Sequence, residues 1–335
     1  MRKKTGFIFA AGMILGVLAI ISICIGSYPL SIRQIYHIVS GHIKDTMEAR
    51  VFWNLRIPRV IMGLTAGFSL GLAGGVYQTI FRNSLASPDL TGVASGASFG
   101  AACVIVLGTG SSFAIMAGAF TMGMLSIVFV LFLTRLSNME KVGSYILAGI
   151  IVSSLADAGI MMLKFMANPE RELASIEFWT MGSLAAITTE KVIPVIFFAV
   201  VPMLLLLSMH RQIVMLSLGS EHARSLGLSP EIWRILFLVL STFMVASIVS
   251  VTGVIAFVGL IAPHIAFISY KRRNGTYFFL CGIWGGILLL IADIFARTLC
   301  KGAELPLSIL TVFLSVPILI WLLCKKKGGH HGSNI

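Results

Sequence analysis

Charge is scarce in this sequence, and acid scarcer. Asp, Glu, Lys and Arg make up 11% of the 335 residues, and Asp and Glu together number 13. With so few ionised groups the chain cannot wrap one or two globular domains in a hydrated surface, so a water-soluble fold is excluded. It contains no G-x-x-x-x-G-K-[ST] phosphate loop, no H-E-x-x-H and no G-x-S-x-G. Those absences leave it no visible means of hydrolysing ATP. The five cysteines, Cys24, Cys103, Cys281, Cys300 and Cys324, include no C-x-x-C and no paired spacing. They read as small hydrophobes, not as a disulfide framework or metal ligands.

What fills the chain is hydrocarbon, 57% of its residues. About ten spans of roughly 20 residues would occupy ~200 positions and match that fraction, leaving no room for a soluble catalytic domain. Apolar runs fall at residues 6–26, 57–80, 92–107, 113–134, 142–166, 192–209, 232–251, 254–269, 277–299 and 305–323. The expected fold is an all-α membrane protein, a bundle of about ten transmembrane helices. One membrane domain at 1–327 is followed by a tail at 328–335, expected to be disordered, with His330 and His331 solvated. Arg2, Lys3 and Lys4 ahead of residues 6–26 imitate a secretory signal, but the apolar core is too long and no A-x-A site follows, so a retained first span is expected. Behind a Ser31 cap, Ile32, Ile35, Ile38 and Val39 fall at helical spacing and predict a short helix on the membrane surface.

The net charge of +12 does not point to nucleic acid, because the basic residues punctuate apolar runs instead of gathering on one polar face. Ten crossings put both termini on one side. Arg82, Arg135, Arg211, Arg224, Arg234 and residues 271–273 and 325–327 fall on that side, whereas the opposite loops hold most of the acids. The bias places both termini in the cytoplasm.

Gly63, Gly67, Gly71 and Gly75 recur every four residues and leave one face of the second span without side chains. Another helix can therefore pack very close there. Gly92, Gly96 and Gly100 repeat the spacing in the third span.

R-x-P-R at 56–59, a glycine-striped helix ending in Gln78, R-N-S-L-A at 82–86 and S-G-A at 95–97 together resemble the permease family that imports ferric siderophores, haem and cobalamin with ATP. The likeness runs from Arg56 to Trp321 and includes F-W-T-M-G-S-L at 178–184. It implies a type II ABC importer permease, working by alternating access as a homodimer in the bacterial cytoplasmic membrane. Separate ABC ATPase subunits would carry ATP and Mg, so no cofactor or metal is expected on this chain. An extracytoplasmic binding protein would deliver a metal chelate, a ferric siderophore first, with haem or cobalamin next.

The same resemblance gives roles to residues that have plainer readings. Arg56, Arg59 and Arg297 sit at span ends, where snorkelling accounts for any one of them. The family uses the arginines of R-x-P-R and of D-x-x-A-R, present here from Asp293 to Arg297, to receive acidic residues of the binding protein. Asp293 and Arg297 are four apart, which suits a helical ion pair. Asn83 and Leu85 lie where the family has a cytoplasmic gate; Ser84 replaces its usual proline, with Pro88 nearby. Gly219, Ala223 and Gly227 repeat every four residues between spans, an ordinary interfacial loop helix by spacing alone. The family's corresponding segment is the coupling helix seated on the ATPase, with Glu221, Arg224 and Leu226 on or beside that contact.

Asp157 and Lys164 fall in or at the end of one span, on one face two turns apart, and intramembrane ionisable groups are functional candidates. His264 has no second ligand at metal spacing and reads as structural. Two other classes remain open. An ion-driven secondary transporter needs midplane carboxylates paired across inverted repeats, where Asp157 stands nearly alone. An intramembrane enzyme needs convergent His, Asp or Ser groups, and none is visible.

Overall fold

The computed structural model describes residues 2–26, 28, 30–42, 46–108, 110–137, 142–300 and 303–327, and among these there is no strand. The tail with His330 and His331, and Lys141, lie outside the described residues. The helices are α1 (Arg2–Cys24), α2 (Ile32–Val39), α3 (Met47–Val51), α4 (Ile57–Ile80), α5 (Val93–Leu107), α6 (Ser112–Leu136), α7 (Val142–Met166), α8 (Ala174–Thr180), α9 (Thr189–Ser208), α10 (His210–Leu216), α11 (Ser220–Ser225), α12 (Pro230–Thr252), α13 (Val258–Tyr270), α14 (Gly275–Thr298) and α15 (Leu307–Lys327).

Among the described residues seven helices are long and apolar enough to cross a membrane, and three shorter apolar ones, Val93–Leu107, Val258–Tyr270 and Leu307–Trp321, bring the set to the ten runs of the sequence. The second of the seven extends from Met47 to Ile80, ten residues earlier than the sequence suggests. Pro58 lacks the N–H that an ordinary helix interior needs and so reads as a helix start. Here a π segment, Phe52–Arg56, precedes it, with the Ile57 N–H donating to the Phe52 carbonyl. That wider turn lets the chain run helically into the proline.

The core is the seam between α4 and α14, which the glycines make possible. A Cβ at Gly71 would stand 2.1 Å from the Cys281 carbonyl oxygen, and one at Gly67 would stand 2.5 Å from that of Gly285. On its other side α4 meets α13, where a Cβ at Gly74 would lie 1.7 Å from the Gly259 oxygen. The third-span glycines divide their work. Gly96 and Gly100 admit α6 at Ser126 and Gly118, whereas Gly92 sits at φ +71° ahead of α5 and against α7.

Thr79 satisfies its buried hydroxyl locally, on the Gly75 carbonyl at 2.7 Å. Tyr77 instead bridges elements, its hydroxyl lying 3.1 Å from Thr91 and 3.3 Å from Thr242. The surface helix α2 forms behind Ser31, which shares a reciprocal capping box with Gln34. It buries Ile38 and leaves Ile32 and Val39 exposed.

Candidate functional site

Arg56, Arg59 and Arg297 meet where α4 begins and α14 ends, and all three are buried, 5%, 9% and 8% exposed. Arg59 donates Nε to Asp293 Oδ1 at 2.9 Å and grips Glu304 with both terminal nitrogens, at 2.8 and 2.7 Å. Such a two-pronged, charge-assisted contact is among the stronger polar interactions a protein makes. The Asp293–Arg297 pair forms as the spacing suggests, at 2.8 Å. Asp293 Oδ2 is close in charge there but off the N–H axis, without a hydrogen bond of its own.

The remaining guanidinium groups turn toward the end of α1. Arg297 donates to the Ser22 and Ile25 carbonyls at 3.2 and 2.7 Å and to the Ser22 hydroxyl at 2.7 Å. Arg56 reaches the carbonyls of Ile23 and Cys24, at 2.5 and 2.9 Å, and of Tyr28. A helix leaves its last carbonyls without intrahelical partners, so these two arginines cap α1 and fasten it to α4 and α14. Three guanidinium groups against two carboxylates leave the cluster one positive charge in excess.

The opposite end is built differently. After α4 the connector turns at Arg82, φ +51°. Asn83 Oδ1 then accepts from the Leu85 N–H at 2.9 Å, and its carbonyl accepts from Ala86 at 3.1 Å. This side-chain turn sets the backbone although Ser84 stands where the family has proline. Pro88 packs on Gly259 of α13, and the Leu90 carbonyl presses on Gly149 of α7, where a Cβ would meet it at 1.8 Å. The connector is thus wedged between two spans, with Leu85 63% exposed at its tip.

Beside it lies α11, which buries Ala223 and exposes Glu221, Arg224 and Leu226. Gly219 and Gly227 do not continue its face. They bracket the helix at φ +107° and +83°, conformations that favour glycine, so the four-residue repeat marks two turns and not a stripe. Arg224 pairs with Glu231 of α12 at 2.5 Å in the open. The Arg82 guanidinium stands close over Gly219, the residue just before α11.

The model of the FecCD transport family matches residues 14–325. The chain belongs to that family. It is 33% identical to the molybdate import system permease protein of Haemophilus influenzae, over 96% of each chain. It is 30% identical to the hemin transport system permease protein of Yersinia pestis, over 99% of this chain and 98% of the other. A solved structure described as an inward-facing conformation of an ABC transporter of the metal-chelate type superposes with a TM-score of 0.83. That likeness, at 32% identity, covers 95% of this chain and 98% of the other. This FecCD member is therefore an ABC importer permease, a multi-span transport subunit.

The permease places its other candidate residues apart. Lys164 leaves Asp157 and bonds Glu177 of α8 at 2.7 Å. His264 Nδ1 lies 2.8 Å from the Leu260 carbonyl of its own helix and 3.4 Å from Gln78 Nε2 of α4, so the ring sits at a contact between two helices. No group of three His, Cys, Asp or Glu among the described residues could hold a metal ion. F-W-T-M-G-S-L proves to be a junction: Gly182, at φ +69°, fits against Val254, its carbonyl accepts from Leu307, and Ser183 donates to Thr252. Sequence reasoning missed Glu304, because nothing in spacing relates residue 304 to residue 59. It also missed the approach of Arg82 to Gly219, for which the basic first residue of R-N-S-L-A was the only hint.

Proposed function

We propose that two copies of this permease form the passage of an ATP-driven importer for a metal chelate, with a ferric siderophore as the first candidate and haem or cobalamin next. Both termini lie in the cytoplasm. The observation that carries this reading is the division of polar machinery between the two ends of a bundle that matches a metal-chelate type transporter along its length. The arginine cluster, with one positive charge in excess, receives acidic residues of a binding protein outside. Glu221 and Arg224 on α11, with Leu226 just after it, seat the ATPase inside, and the adjacent connector, with Asn83 and Leu85, relays its motion to the gate. Glu304 holds the outward edge of the Arg59 guanidinium that an arriving carboxylate would take, so docking proceeds by exchange of one carboxylate for another.

The test is uptake into proteoliposomes holding the permease with its ATPase and binding protein. Uptake is expected to require ATP and to ignore a proton or sodium gradient. Uptake that follows the gradient without ATP would identify a secondary transporter instead. In the same vesicles Arg56→Glu with Arg59→Glu should abolish stimulation of the ATPase by the binding protein. Because both arginines are buried, retained basal ATPase activity serves as the folding control.

A further inference from the structure

The exposed face of α7 carries a feature that a lipid-facing helix does not tolerate. Leu147, Ile150, Ser154, Asp157, Met161 and Phe165 follow one another at intervals of three or four, and each is exposed on the single chain. They form one stripe. Asp157 lies fifteen residues from the start of α7 and nine from its end, roughly 22 and 14 Å along the axis, near the middle of a hydrocarbon layer about 30 Å thick. It makes no hydrogen bond or ion pair with any described residue. Among the described residues, the other acidic and basic side chains of the spans are buried, bonded within the bundle as His264 is, or within about two turns of a helix end. An ionised carboxylate at this depth, too far from either end to reach the headgroups, is costly against hydrocarbon and needs water or a partner.

We infer that the Ser154–Asp157 stretch of α7 faces a water-filled path shared with a second copy of the chain, and that Asp157 acts there as a charge filter favouring neutral or cationic chelates over small oxyanions. This rests on the proposed import function and narrows its cargo. In a symmetric pair two such carboxylates face one passage, and rings of acidic side chains select against anions in this way. The neighbouring Ser154 hydroxyl keeps the strip wet, and the apolar Ile150, Met161 and Phe165 offer weak contacts to a bulky chelate. Such a filter distinguishes this permease from a carrier of an oxyanion such as molybdate, although a relative one third identical bears that name.

The test uses Ser154→Cys as a reporter, with Cys24, Cys103, Cys300 and Cys324 replaced and buried Cys281 kept. The permease–ATPase complex is labelled in liposomes with cationic and anionic membrane-impermeant methanethiosulfonates, each rate being normalised to a free thiol. The cationic reagent is expected to label about tenfold faster, and Asp157→Asn should bring the ratio close to one. Labelling only by a membrane-permeant maleimide would put the stripe in lipid and overturn the inference, as would a ratio indifferent to Asp157→Asn. Stimulation of the ATPase by the binding protein, measured on the same vesicles, separates the two levels. Intact stimulation without charge preference refutes the filter alone, whereas lost ATP-driven transport in the unaltered complex refutes the import reading.

Discussion

At one end of the bundle Arg56, Arg59 and Arg297 are buried and bonded to Asp293, Glu304 and the carbonyls behind α1. At the other, Arg224 and Glu231 pair in the open and α11 buries little beyond Ala223. Similar residue types therefore do different physical work. Buried charges are held by partners they cannot lose cheaply, so any partner that docked at that end would have to exchange those contacts. Exposed charges are already hydrated and contribute little to the fold, so that end is free to change partners without disturbing the bundle.

The sharpest way to break this contrast is to remove Asp293. Asp293→Ala removes the carboxylate that two buried guanidinium groups share and should cost about 3–5 kcal/mol, read as a large fall in the melting temperature of the detergent-purified permease. Leu226→Asp comes next in effect. On the proposed coupling role it should reduce co-purification of the ATPase at least about tenfold while leaving the melting temperature alone, because Leu226 is exposed on the single chain. Glu304→Gln should tighten binding of the binding protein several-fold by weakening the internal competitor for Arg59, measured by surface plasmon resonance on nanodiscs. Unchanged or weaker binding would refute docking by exchange. Gly219→Ala should cost about 1 kcal/mol, because φ +107° strains any residue with a Cβ. Smallest of all, Arg224→Ala should change stability by under about 1 kcal/mol, since its pair with Glu231 is solvent-exposed.

Why some of this was legible in sequence and some was not follows from range. The ten apolar segments are visible because length and apolarity are local, and the Asp293–Arg297 pair is visible because helical spacing of four is local too. The glycine stripe of α4 announces a close neighbour but cannot name it, since α14 lies some two hundred residues further on. Glu304 is hidden for the same reason. The repeat Gly219, Ala223, Gly227 misleads in another way: spacing carries no backbone angles, and positive φ turns an apparent helical face into two brackets. Likewise, the family resemblance implies a docking role for Arg56 and Arg297 but not that their donors bond the end of α1. Any outward role must compete with that bonding.

The most direct measurement places a photocrosslinking amino acid at position 226 and, separately, at position 304 of the permease in the assembled importer. Illumination is predicted to join position 226 to the ATPase and position 304 to the binding protein. Exchange of the two products, or capture of the same partner from both ends, would contradict the account.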